Sequence, residues 1–171
     1  QRDGFFSQVG VFYFDEDIDV LSQDFELNFS DIVTQNTKSF AVVGQVDIEL
    51  SDTLNRIIGG RWTDDDKFLQ VKPGPNSFSP PDTIDINDDY FNWDVALNLT
   101  PNDDWSWYAR VANASRGPVT LGRFGFTSSA TTETSHAVEV GFKSTLLDGR
   151  ARWNAAAYTY KNDDHQLTAT G

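Results

Sequence analysis

Apolar and polar side chains alternate along most of this sequence, in segments of about ten residues. In residues 40–50, Phe40, Val42 and Val46 would share one face of an extended chain, and Gln45 and Asp47 the other. A period of two residues is the geometry of a β-strand. No long segment carries the apolar spacing of an amphipathic helix. The sequence therefore predicts an all-β protein.

The alternating segments come in pairs joined by short turns. The strands are predicted at residues 5–14, 40–50, 54–63, 92–100, 105–113, 136–146 and 151–161, with an incomplete last strand beginning near Gln166. Turns fall at residues 51–53, 101–104 and 147–149, and Asp148-Gly149 is a strong hairpin signal. About eight antiparallel strands in consecutive hairpins are expected.

Between the hairpins lie much longer polar segments, at about residues 15–37, 64–91 and 114–135. Short turns at one end of the strands and long loops at the other are typical of outer-membrane barrels. The polar faces of the strands also carry ionic and amide side chains, which suit a wet barrel interior better than a dry core. We therefore interpret residues 1–171 as a single segment of a transmembrane β-barrel, with these three segments as loops.

All five tryptophans fall on the apolar faces of the predicted strands, and most lie near a strand end. They are Trp62, Trp93, Trp105, Trp107 and Trp153. Tryptophan is enriched where a membrane meets water, so this set is a candidate aromatic girdle. Alternation alone also fits a soluble β-sandwich with a binding role, whose apolar faces would pack against each other.

Composition excludes several classes of function. The chain has 26 acidic and 13 basic residues and a net charge of -13, which argues against nucleic acid as a partner. It has no cysteine and two histidines, and it lacks the nucleophile and phosphate-binding motifs of common enzymes. We expect no enzymatic activity and no cofactor. Asp64, Asp65 and Asp66 are weak candidates for binding Ca²⁺, because carboxylates suit a hard cation.

Seven stretches together resemble the C-terminal half of the barrel of TonB-dependent outer-membrane receptors. They are residues 11–17, 38–47, 59–67 (which begins Gly59-Gly60-Arg61-Trp62), 92–98, 108–112, 138–150 and 152–158. They cover most of the predicted strands and occur in the family's order. After Val111 the sequence departs from the family's usual Arg-Gly-Phe-Arg-Ala-Pro stretch.

The resemblance implies a localisation, a function and partners. It implies a bacterial outer-membrane fragment, truncated at both ends and without the plug, from a receptor for energy-coupled uptake of a siderophore, cobalamin or glycan. The partners implied are outer-membrane lipid, the rest of the barrel with its plug, and an energy-transducing inner-membrane complex reached through the N-terminal part. Ligand- or plug-facing candidates are Arg61, Asp94, Arg110, Glu139 and Lys143.

The open strand edges of such a piece allow a different role. Unpaired edges bind other strands, and residues 39–46 combine high β-propensity with low charge. An alternative hypothesis is therefore that copies of the chain pair with one another into an extracellular, amyloid-like structural fibre.

Overall fold

The computed structural model describes residues 4–26, 28–77, 80–123 and 126–167. Within these residues the protein is all-β, as the alternation predicts. Its nine strands are β1 (Phe5–Asp24), β2 (Phe29–Ser51), β3 (Leu54–Pro73), β4 (Asp82–Asn102), β5 (Trp105–Arg116), β6 (Val119–Arg123), β7 (Phe126–Ala130), β8 (Glu133–Leu146) and β9 (Ala151–Asp163). No helix in these residues is long and apolar enough to cross a membrane.

Seven strands form one antiparallel sheet in the order β1-β2-β3-β4-β5-β8-β9, and β6 pairs only with β7. Sequence neighbours pair throughout the sheet except where the β6–β7 hairpin intervenes between β5 and β8. The prediction of consecutive hairpins is confirmed. The sheet does not close within the described residues, since β1 and β9 are its two ends.

Two of the three expected long loops are largely strand, so that prediction was wrong. Residues 15–24 pair with residues 29–38 as β1 and β2 continue, and residues 64–71 pair with residues 82–89 as β3 and β4 continue. In these extensions both faces of the strands carry acids, and apolar alternation is limited to short runs such as Leu69 and Val71 or Ile84 and Ile86. Backbone pairing with neighbours forms the strands there, and it leaves no signature in side-chain hydropathy.

The third expected loop, residues 114–135, was also assigned wrongly in part. Here β5 continues to Arg116, β8 already begins at Glu133, and the β6–β7 hairpin lies between them. The strand expected near Gln166 is not formed over residues 165–167, and residues 168–171 lie outside the described residues.

The register divides the sheet into two faces. We call the face that carries Val42, Trp62, Trp93 and Val111 the apolar face, and the face that carries Arg61 and the other predicted ionic residues the polar face. Many large apolar side chains are exposed, and the buried apolar cluster among the described residues consists of Val33, Leu69 and Val71, with Ile84 packed against it. A sheet with so small a core needs another apolar environment for its exposed face.

The β8–β9 turn contains a strained residue that offers a test of this structure. Leu147 has φ 55°, a left-handed conformation that favours glycine. Its side chain is exposed and contributes little packing. We expect Leu147→Gly to raise the free energy of unfolding by about 0.5–1 kcal/mol. Urea titration in detergent measures this. Leu146→Gly, in the paired strand beside it, should lower the free energy of unfolding, and equal effects of the two variants would contradict the turn geometry.

Candidate functional site

The five residues predicted to face a ligand or plug all lie on the polar face. Pairing of Arg110 with Glu139 and of Gly59 with Asp94 fixes their common side, and Arg61 and Lys143 follow at even spacings along their strands. Whether they contact a ligand stays a prediction. Their shared side was predictable because alternation alone decides it.

Several of these side chains are engaged in cross-strand contacts on this face. Arg110 Nε lies 3.5 Å from Asp94 Oδ2, and the Tyr108 hydroxyl donates to Glu139 Oε1 at 2.5 Å. Lys143 lines an open depression of about 390 Å³ at the short-turn end, together with Arg152 and Asn154. The face is thus hydrogen-bonded along its length and accessible to water, unlike a packed core.

The five tryptophans lie on the opposite, apolar face. Near the short turns the rings of Trp105, Trp107, Phe142 and Trp153 form a continuous cluster, with centroid distances of 6.0 Å for Trp105–Trp107, 5.0 Å for Trp107–Phe142 and 4.8 Å for Phe142–Trp153. A band of aromatic rings at one level of a sheet is the arrangement found at membrane–water interfaces.

Trp62 and Trp93 lie in the middle of β3 and β4, not near strand ends as expected, because these strands continue past them. The ring centroids of Trp62 and Phe40 lie 6.3 Å apart, and the Trp62 indole N–H donates to Asp89 Oδ2 at 3.2 Å. From Phe91, beside Trp62, to Leu99, beside Trp107, eight residue-to-residue steps along β4 span roughly 27 Å. That distance along tilted strands suits the apolar band of a membrane barrel.

Beyond Trp62 the apolar face changes to an acidic surface. Its carboxylates are Asp15, Asp17, Asp19, Asp64, Asp66, Asp85 and Asp89. Asp65 points to the polar face instead, so the three Ca²⁺ candidates alternate in direction and do not converge on one ion. The described residues contain no group of three or more acidic or histidine side chains that could hold a metal. The side chains on this side of the sheet therefore change from apolar to acidic at the level of Trp62.

The β6–β7 hairpin folds back over the polar face of the β3–β4 extension. A Cβ on Gly122 would come within 3.1 Å of Val33 Cγ1 and 3.2 Å of Leu69 Cδ2, so the hairpin backbone lies directly on the buried apolar cluster. Leu69 is fully buried there. Sequence reasoning missed this contact, because the apolar residues involved are scattered through segments that look polar.

The β6–β7 hairpin and the residues that flank it, together called the hairpin segment, are hydrogen-bonded to acidic side chains of β4. The Thr127 hydroxyl donates to Asp82, and the Thr132 hydroxyl donates to Asp88 at 2.5 Å. Thr127, followed by the Thr83 backbone N–H, holds the pKa of Asp82 below its usual range. The acids on this part of the polar face are therefore structural acceptors.

A buried tyrosine–aspartate pair lies under the start of the hairpin segment. The Tyr90 hydroxyl donates to Asp65 Oδ2 at 3.0 Å, and Asp65 is only 7% exposed. Burial, then the Asp65 charge, raises the pKa of Tyr90 to about 12, so the hydroxyl keeps its proton. Gly117 passes so close that a Cβ there would lie 2.3 Å from Asp65 Oδ2.

A second set of contacts ties the C-terminal described residues to the same region. Glu133 accepts from the Gln166 backbone N–H at 3.0 Å and lies 2.8 Å from His165 Nδ1. The Gln166 backbone bond, then His165, holds the pKa of Glu133 below its usual range. The Gln166 side chain donates to the carbonyls of Gly117 and Thr131. Both ends of the hairpin segment are thereby fixed.

The open antiparallel sheet, its apolar belt and its wet opposite face define this chain as part of a membrane β-barrel wall. Residues 3–171 match the family described as "TonB dependent receptor-like, beta-barrel", and the chain belongs to that family. The recognition made from the seven stretches is confirmed. No curated protein matches the sequence.

Two solved structures have the same fold over 98% of this chain. One is the ferric yersiniabactin uptake receptor FyuA from Yersinia pestis, with 18% identity and a TM-score of 0.78. The other is the alcaligin outer-membrane receptor FauA from Bordetella pertussis, with 17% identity and a TM-score of 0.59. This chain spans 27% and 32% of those chains, respectively.

The close approach at Gly117 predicts a large effect of one methyl group. In Gly117→Ala the new Cβ would clash with Asp65 Oδ2 and approach the Tyr90 hydroxyl at 3.1 Å. We expect a loss of about 1–3 kcal/mol in the free energy of unfolding, together with faster hydrogen exchange in residues 117–132. The matched control is Gly44→Ala, whose Cβ would meet only the Gln8 carbonyl, at 4.0 Å. If hydrogen exchange is unchanged in both variants, the close packing of Gly117 against Asp65 and Tyr90 is refuted.

The hydrogen bond from Thr127 to Asp82 predicts that the stability of the β6–β7 hairpin depends on pH. Because the pKa of Asp82 is lowered in the folded state, its stabilising effect is complete above the unfolded-state pKa and is lost as pH falls through the folded-state pKa. Thr127→Val should raise the Asp82 pKa and make hairpin hydrogen exchange less dependent on acid pH. Carboxyl ¹³C titration measures the pKa directly.

The control for this titration is Thr120→Val in the same hairpin. The Thr120 hydroxyl is buried and has no hydrogen-bond partner among the described residues. Its replacement should leave the Asp82 pKa unchanged. A shift of the Asp82 pKa in Thr120→Val as large as in Thr127→Val would contradict the specific bond.

Proposed function

We propose that this chain forms part of the barrel wall of an outer-membrane receptor for energy-coupled uptake of a scarce nutrient. The observation that carries the proposal is the separation of the two faces. All five tryptophans lie on one face and all five predicted ligand- or plug-facing residues lie on the other. The family and its neighbours are outer-membrane transport receptors, which supports this localisation and a role other than catalysis.

Each part of the sheet then has a separate task. The apolar face between the Trp105–Trp153 cluster and Trp62 contacts lipid. The strand extensions and the β6–β7 hairpin form the external vestibule. The polar face lines the lumen, where Arg61, Asp94, Arg110, Glu139 and Lys143 contact the plug or the transported compound. The plug and the energy-transducing complex belong to the whole receptor.

Among the nutrient classes, we favour an iron–siderophore complex over cobalamin or a glycan. The support is that the Yersinia receptor with the same fold takes up a ferric complex. At 18% identity this similarity concerns the fold, so the nutrient needs its own test.

The test follows the protein in the bacterium that produces it. Outer-membrane, culture-supernatant and detergent-insoluble fractions are prepared from cells grown with and without an iron chelator. The tryptic peptide of residues 39–56 is quantified in each fraction by mass spectrometry. We expect this peptide in the outer membrane, at a level that rises several-fold under iron limitation.

The same experiment separates the other hypotheses. Induction by cobalamin or glycan conditions, and not by iron limitation, would change the nutrient class. The peptide in detergent-insoluble extracellular material, with a 4.7–4.8 Å cross-β reflection, would support the fibre instead. A soluble peptide without membrane association would support the sandwich binding module.

A further inference from the structure

The sheet has a step in its middle, where β4 extends further than its neighbour β5. The β4–β5 ladder ends at the pair Trp93–Asn113, and from there β5 pairs only with β8 and ends at Arg116. On its other side β4 stays paired with β3 as far as Asp82. Over residues 82–92, β4 therefore has one paired edge and one edge without a neighbouring strand in the sheet.

The side chain of Asn113 shows which backbone groups of β4 point to this second edge. Its amide oxygen accepts from the Trp93 N–H at 2.7 Å, and its amide nitrogen donates to the Phe91 carbonyl at 3.0 Å. In an antiparallel strand the N–H and C=O of one residue point to the same side, and that side alternates from residue to residue. The groups of residues 85, 87 and 89 therefore point away from β3.

Asp85, Asn87 and Asp89 together form a free strand edge, which we call the β4 edge. Within the part of the chain that the structure describes, their backbone N–H and C=O groups form no hydrogen bonds. The neighbouring Thr83 N–H is already bonded to Asp82 Oδ1 at 2.8 Å, so the free edge begins at Asp85. All three residues of the β4 edge are exposed. An exposed row of unpaired backbone groups is a template for a further strand.

Charge determines which kind of strand fits the β4 edge. Asp85 and Asp89 belong to the acidic surface, beside Asp64 and Asp66 of β3. A second copy of this chain, paired antiparallel through the same edge, would bring Asp85 against Asp89, and like charges opposite each other destabilise a sheet. A basic strand would place opposite charges beside both carboxylates, which stabilises the pairing.

We propose that the β4 edge binds an extended, basic polypeptide segment of a partner as an added β-strand. The backbone of the segment pairs with residues 85, 87 and 89. Because Asp85 and Asp89 lie four residues apart on one side of β4, the segment carries Lys or Arg at positions four apart. An apolar residue lies beside Ile86, which is half-buried on the other side. The inference goes beyond nutrient uptake and rests on the proposed function only for the external position of the strand extensions.

The probe is the blocked peptide acetyl-TKTTVKT-amide, whose lysines have the required spacing. Acetyl-TTKVKTT-amide has the same composition with a shorter spacing, and acetyl-TETTVET-amide reverses the charge. The full chain is prepared in a nonionic detergent and followed by NMR during each titration. The Trp62 indole N–H donates to Asp89 Oδ2 at 3.2 Å, so its signal reports on the β4 edge.

We expect the first peptide to shift the Trp62 indole signal in a saturable manner, with a dissociation constant on the order of 0.1–1 mM. Hydrogen exchange at the amides of residues 85, 87 and 89 should slow about tenfold at saturation, because these amides acquire partners. Exchange at residues 84, 86 and 88, which already pair with β3, should not change. Both control peptides should bind several-fold more weakly.

Variants locate the binding on the β4 edge. Asn87→Pro removes one edge N–H and keeps the ladder to β3, since proline is tolerated where the N–H faces outward. We expect it to abolish peptide binding and leave exchange at residues 84, 86 and 88 unchanged, which separates a lost edge from a folding defect. Asp85→Asn should weaken binding several-fold. Its matched control is Asp52→Asn, the same charge change in the β2–β3 turn, which should leave binding unchanged.

Three results would overturn the proposal. Equal binding of the two lysine peptides, or equal losses in Asp85→Asn and Asp52→Asn, would show charge attraction without strand pairing. Protection of residues 85, 87 and 89 that rises with protein concentration in the absence of peptide would assign the edge to a second copy. Absence of both the Trp62 shift and the protection would also refute it. Failure of the uptake proposal looks different, since it would appear in the cell fractions or the nutrient response, whatever the peptides do.

Discussion

Backbone pairing between neighbouring strands is the interaction on which the rest of this structure depends. The described residues bury only a small apolar cluster, so a conventional core does not hold the sheet together. The strands instead satisfy their N–H and C=O groups across long antiparallel ladders, twenty paired positions between β1 and β2 alone. The ladders fix which side chains share a face, and the division into an apolar and a polar side follows from that register.

The same ladders explain how a polar segment becomes part of the wall. Beyond Trp62 and Phe91 the strands continue although neither face is predominantly apolar, because each extended residue already has a partner in the next strand. The extensions carry acids on the outside and support the β6–β7 hairpin on the inside. Hydrogen bonds from Thr127, Thr132 and Tyr90 give Asp82, Asp88 and Asp65 of this polar face their partners.

The two aromatic environments differ in what surrounds them. Trp105, Trp107 and Trp153 join Phe142 in a belt on the apolar face. Phe12 and Phe14 lie on the opposite face of the same sheet, beside a fixed guanidinium. Aromatic rings therefore lie in an apolar setting on one side of the sheet and beside a charged group on the other.

The sequence by itself determined the strand class, the hairpin order, the family and the face of each alternating residue. Arg61 and Trp62 could be assigned to opposite faces from their spacing alone, because a strand has a fixed period of two. Only the tertiary structure decided the strand lengths, the packing of β6 and β7 on the polar face and the approach of Arg61 to Phe12. These features depend on pairing and contacts between residues tens of positions apart, and local hydropathy carries no record of such contacts.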